Sequence, residues 1–141
     1  MNYERDILRM FHAAMASSQR RDDWAATVRN FEHAVDGVAC NLHVKVQLIW
    51  QRMSTAPRLT GECFVFLSAA TDGDLVGGSG WAHFALSEAG ARGAWHLFAM
   101  ALDEALAELR SKPEFASLAE GIELRDAVAP VDPAPRRARR I

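Results

Sequence analysis

The sequence is poor in the features that announce a function. It has two cysteines, Cys40 and Cys63, in 141 residues. That excludes a disulfide scaffold, and a chain of this length buries enough surface to fold without one. Its densest apolar stretch, around Ala94 to Ala107, is broken by His96, Asp103 and Glu104, so it reads as a core helix and not a membrane span. Met1 leads straight into the polar run Asn2 to Asp6, with no apolar segment of the kind that directs secretion. The expectation is a cytoplasmic protein with free thiols and no membrane association.

Catalytic motifs are missing as well. Gly77-Gly78-Ser79-Gly80 lacks the lysine of a phosphate loop and the spacing of a dinucleotide fingerprint. Trp81 stands where a nucleophile elbow needs its last glycine. Cys40 and His43 are spaced C-x-x-H, with Cys63 and His83 on neighbouring predicted strands. Residues three apart on a strand face opposite ways, which argues against a shared metal. Cys63 lies in the most apolar strand, where a thiol is usually inert. Asp72 and Asp74 share a loop without the rest of a calcium site. No histidine has an H-E-x-x-H partner. Neither a catalytic residue nor a metal nor a cofactor is expected.

What is present is an ordinary globular composition, half hydrophobic and a quarter charged, with four tryptophans and seven phenylalanines. Net charge is −2, but the C-terminal tail 129–141 holds Arg136, Arg137, Arg139 and Arg140 against Asp132 alone. Removing these from 16 basic and 18 acidic residues leaves 12 and 17, a body of about −5. The prolines and arginines of that tail present no apolar face, so it is expected to be disordered beyond a single domain spanning 1–128.

Periodicity predicts an α+β fold in the order α-α-β-β-β-α-α. Ile7, Leu8, Phe11, Ala14 and Met15 have helical spacing over 3–17. Trp24, Val28, Phe31 and Val35 have it again, in a second helix that begins at Asp22 or Asp23 and is ended by Asp36-Gly37. From Leu42 the period is two: Leu42, Val44, Val46, Leu48 and Trp50 share one face, His43, Lys45 and Gln47 the other. Ser54 to Pro57 makes a turn. Residues 61–69 form an apolar central strand, 71–80 a loop, and 81–86 a third strand antiparallel to it. A long helix capped by Ser87, or starting nearer Arg92, buries Trp95, Phe98, Leu102, Leu106 and Leu109. Pro113 opens a short last helix stopped by Gly121.

The order from Asp22 to Ser111 is similar to that of a double-stranded-RNA-binding domain. That family grips phosphates with basic residues at the start of its last helix, where this chain has Glu88, Ala89, Gly90, Ala91 and one Arg92. The resemblance is therefore one of order alone.

These features point to a non-catalytic protein-binding module, a small regulator, adaptor or inhibitor of the sort phages and mobile elements make, working as a homodimer through an apolar patch. Candidate contacts are Trp50, Phe64 and Phe66 on the sheet, or Trp95, Leu97 and Met100 on the long helix. The alternative is nucleic-acid binding through Arg136, Arg137, Arg139 and Arg140.

Overall fold

In the computed structural model, which describes residues 3–17, 24–51 and 58–128, the framework is four β-strands hydrogen-bonded in chain order. Helix α1 (Glu4–Ser17) precedes β1 (Trp24–Val35), β2 (Val38–Gln51), β3 (Arg58–Thr71) and β4 (Asp74–Ala85). A short 3₁₀ turn (Leu86–Glu88) then leads into α2 (Ala91–Arg110) and α3 (Pro113–Val128). The fold is α+β, with a four-stranded antiparallel meander and not a three-stranded one.

The expected second helix is a strand. Asp36 and Gly37 both take positive φ, 51° and 82°, which is the backbone of a two-residue hairpin turn and not a helix cap. Val35 and Val38 flank that turn, and the register runs unbroken back to Trp24 opposite Ile49. With 24–35 a strand, the similarity of order to the RNA-binding family lapses.

The expected loop at 77–80 is also strand. The turn is Asp72-Gly73, with Gly73 at φ 83°, and Gly77, Gly78, Ser79 and Gly80 pair with Ser68, Leu67, Phe66 and Val65. These glycines are there for packing. A Cβ on Gly78 would sit 2.5 Å from the Ala105 carbonyl oxygen, and one on Gly80 would collide with that of Ala101. Helix α2 thus lies directly on β4, glycine against alanine.

One face of the sheet carries the core. Leu42, Val44, Val46 and Leu48 of β2, Cys63, Val65, Leu67 and Ala69 of β3, and Val76, Ala82 and Phe84 of β4 are all buried. Against them pack Ile7, Phe11 and Ala14 of α1 and Ala94, Leu97, Phe98, Ala101, Ala105 and Leu109 of α2. Large side chains such as Phe11 and Phe98, each 1% exposed, contribute roughly 1.5–3 kcal/mol apiece by burial. The buried stripe of α2 is rotated from the expected one: Ala94, Ala101 and Ala105 replace Trp95, Leu102 and Leu106, which are only partly buried. The helix starts at Ala91, after Gly90, which agrees with the start near Arg92 and not with a cap at Ser87. Helix α3 runs through Gly121 to Val128 and seats Phe115 and Ile122 near the β1–β2 turn. A bidentate Arg110–Asp36 pair, 3.0 and 3.1 Å, ties α2 to the same turn.

No helix among the described residues is long and apolar enough to cross a membrane. The Ser54–Pro57 turn and the arginine tail lie outside the described residues.

Candidate interaction surface

Both helices α1 and α2 lie on one side of the sheet, so the other side has no layer over it among the described residues. The alternation that buries the even-numbered residues of β2 sends His43, Lys45 and Gln47 to this open face. On β3 it sends Glu62, Phe64, Phe66 and Ser68 there, and on β4 Ser79, Trp81 and His83. Cross-strand register sets them in rows. Val28, Lys45, Phe64 and Trp81 form one row; Asn30, His43, Phe66 and Ser79 form the next.

The centre of this face is aromatic. Phe64 and Trp81 pack with ring centroids 4.8 Å apart, and His43 stands edge-on to Phe64 at 6.2 Å. Trp81 is 47% exposed and Val28 48%. Phe66 leans over Gly77, where a Cβ would lie 2.5 Å from the ring. The glycine makes room for a phenylalanine lying along the sheet surface.

Polar groups around the patch hold one another in place. Asn30 Oδ1 accepts from the Asn41 amide at 3.1 Å and lies 3.1 Å from His43 Nδ1. His83 Nε2 is 3.0 Å from Glu62 Oε2. The face carries Lys45, His43 and His83 against Glu62 and Glu32, so neither sign dominates.

Of the residues singled out from sequence, Phe64 and Phe66 fall together here. Trp95 is on the helical layer and packs on Phe98 at 5.2 Å. Leu97 is buried at 7% exposure and is not available for contact, while Met100 is exposed. Trp50 belongs to β2 opposite Leu59, and its side chain lies outside the described residues, as do Arg136, Arg137, Arg139 and Arg140. The residue missed was Trp81. Reading 77–80 as a loop hid the alternation in which Gly78, Gly80, Ala82 and Phe84 face the helix and Trp81 and His83 face away.

The covered face holds no reactive constellation. No polar or charged residue among those described is buried, and no three metal-ligating side chains cluster among them. Cys40 and Cys63 are free and buried, on the opposite side of the sheet from His43 and His83. Burial pushes the Cys63 thiol up to about 12, with Glu62 adding to the shift, so essentially no thiolate exists at neutral pH. His33 is held below the ordinary histidine value by burial and meets the Tyr3 hydroxyl at 3.2 Å. The groove between α1 and the start of α2, lined by Leu8, Phe11, Met15, Leu86 and Ala94, contains His12 but no nucleophile.

Comparison with known proteins places the chain in no family: no family model, no curated protein and no solved structure matches it.

Proposed function

We propose that the protein is a non-catalytic protein-binding module, acting as a small regulator, adaptor or inhibitor, and that the open sheet face is its contact surface. The observation that carries this reading is the uncovered aromatic centre of Phe64, Phe66 and Trp81. Solvent-facing apolar patches rimmed by polar groups mark interaction sites, and tryptophan is among the side chains that carry the most binding energy. Size fits too. Four strands about 4.8 Å apart and about 40 Å long offer roughly 700 Å², near the ~800 Å² per partner of a standard protein interface.

Charge favours protein over nucleic acid. Among the described side chains of this face Lys45 is the one permanent cation, opposed by Glu62 and Glu32, with Arg58 at the far end of β3 in the same parity and its side chain outside the described residues. Phosphate binding needs a stronger positive field. The second reading, single-stranded nucleic acid stacked on Phe64, Phe66 and Trp81, draws its support from the same rings, of which Trp81 is exposed and the phenylalanines partly so. In it, Arg136, Arg137, Arg139 and Arg140 supply the missing charge.

A partner isolated on the wild-type chain separates these readings. Phe64→Ser with Trp81→Ser is expected to weaken its capture at least tenfold with the fold intact by circular dichroism. Deletion of 129–141 is expected to leave capture unchanged. A nucleic-acid ligand, with affinity that collapses in salt and on tail deletion, would establish the second reading instead.

A further inference from the structure

The two edges of the sheet are finished differently. On β4 the outward N–H groups of Ser79, Trp81 and Ala85 donate to the carboxylates of Glu108, Glu104 and Glu88, each at 2.7 Å. Leu75 donates to Asp74 at 2.8 Å. Side-chain carboxylates thus occupy four of the six outward N–H groups of β4, leaving those of Gly77 and His83.

Strand β1 has no such cover. Val35 and Val38 close a two-residue turn, so odd-numbered residues of β1 bond to β2 and even-numbered ones point outward. No other described residue hydrogen-bonds to the outward N–H of Ala26, Val28, Asn30, Glu32 or Ala34. The strand has no proline, no lysine and no bulge, and of the charged residues that can also blunt a free edge its inward-pointing Arg29 is engaged by Asp6 at 3.6 Å.

We propose that β1 pairs with β1 of a second copy, antiparallel about a two-fold axis at Asn30, joining two sheets into one of eight strands. The register follows from the residues. Centring on Asn30 uses all five outward positions and forms about ten hydrogen bonds. Its opposed pairs are Asn30 with Asn30, Arg29 with Phe31, Val28 with Glu32, Thr27 with His33 and Ala26 with Ala34. None sets like charges against each other. Arg29 already lies 5.6 Å over the Phe31 ring of its own strand, so a second Phe31 ring suits it. Glu32 of one copy and Lys45 of the other flank Val28 in one row. Shifting the axis to Arg29 opposes two arginines, and shifting it to Phe31 opposes Arg29 to His33, so neighbouring registers are poorer.

The mostly occupied β4 edge gives this pairing an end. A two-fold contact at β1 closes on itself, and the β4 edge, with four of its six outward N–H groups already bonded to side chains, is a poor start for a filament. The dimer places both aromatic patches on the same side of one continuous surface. It involves a different surface from the proposed protein-binding face and stands or falls without it.

The test is the mass of the full chain by size-exclusion with light scattering at micromolar concentration, with two kinds of variant. Wild type is expected to have twice the chain mass. Val28→Pro removes an outward N–H and no ladder bond to β2, a substitution an edge strand tolerates, and is expected to give the single-chain mass. Asn30→Cys is expected to form a disulfide-linked dimer on mild oxidation, because residues on the axis lie about 5.5 Å apart, within disulfide reach. Ala26→Cys, about 26 Å from its counterpart, is expected to stay unlinked. A monomeric wild type overturns the proposal, and so does a dimer in which Asn30→Cys links no faster than Ala26→Cys. Should Val28→Pro lose its fold by circular dichroism, the cysteine pair decides alone.

Discussion

The two faces of the sheet are built from the same strands to opposite ends. On the covered face, side chains are small wherever a helix presses: Gly78 and Gly80 of β4 meet Ala101 and Ala105 of α2, and nothing larger fits. On the open face, one residue along in register, Phe64 and Trp81 stack with no described element above them. A chain selected only to fold would not need aromatic rings there. The contrast separates the residues that hold the structure from those free to serve a partner.

The sharpest way to break that contrast is to substitute neighbours on one strand. Gly80→Ala drives a methyl into the Ala101 carbonyl, so a loss of about 3 kcal/mol or more is expected, at the upper end of overpacking costs. His83→Ala, on the same strand but facing outward with a side chain 71% exposed, is expected to change stability by less than about 0.5 kcal/mol. Denaturant titration of both variants checks the pair. Equal costs would mean that the helix does not press on β4.

A smaller effect sharpens the same comparison on β3. Leu67 is fully buried and Phe66 only partly so. Leu67→Ala is expected to cost about 2–5 kcal/mol and Phe66→Ala clearly less, even though more atoms are removed. The reverse order in chemical denaturation would show Phe66 to be part of the core.

Acid addresses the links between the helical layer and the sheet. Glu108 is held below the ordinary glutamate value of 4.5, first by the Ser79 N–H and then by Lys112 and the Ser79 hydroxyl. Asp36 is likewise held below 3.8 by its hydrogen bonds from Arg110. Both carboxyls are lowered on folding, so their contribution is complete above the unfolded values and disappears as pH falls through the folded ones. Beyond a shallow decline that starts near pH 6.5, where the unfolded chain's His33 takes up a proton that the folded one resists, melting temperature is therefore expected to decline more steeply on the carboxyls' account below about pH 4.5. In Glu108→Gln, which keeps an oxygen to accept from Ser79, that decline is expected to be shallower. An unchanged acid limb would remove Glu108 from the explanation.

Only a small expected effect on stability belongs to the residue expected to matter most for binding. Trp81→Ser removes one exposed ring and its stacking on Phe64, about 1 kcal/mol at most. Partner capture is nevertheless expected to fall at least tenfold. A large stability loss with unchanged capture would reverse the assignment.

How far the sequence revealed this division depended on how each strand's inward row is satisfied. Strands β2 and β3 were legible because the described residues of their covered sides are apolar throughout. Strand β1 was not, because its inward row is Thr27, Arg29, Phe31 and His33, which the N-terminal segment satisfies with polar partners: the Met10 carbonyl accepts from Thr27 at 3.2 Å, Asp6 faces Arg29 at 3.6 Å and Tyr3 meets His33. That leaves an apolar spacing which also fits a helix. The dipeptide Asp36-Gly37 held the better signal, since it ends no helix and turns a hairpin. Strand β4 was hidden by glycines that look like loop until the alanines of α2 are laid against them. Half of the candidate site was therefore legible, as Phe64 and Phe66, and the other half, Trp81, waited on recognition of β4.

The most direct measurement is photo-crosslinking from each side of the sheet in an extract of the protein's own cells. A photoreactive residue at position 83 lies beside Trp81 on the open face and far from the β1 edge; one at the exposed Met100 reports on the helical layer. Binding through the open face predicts discrete protein adducts from position 83 that vanish with Phe64→Ser, and few from position 100. Adducts confined to position 100, or adducts at 83 that nuclease removes, would contradict it.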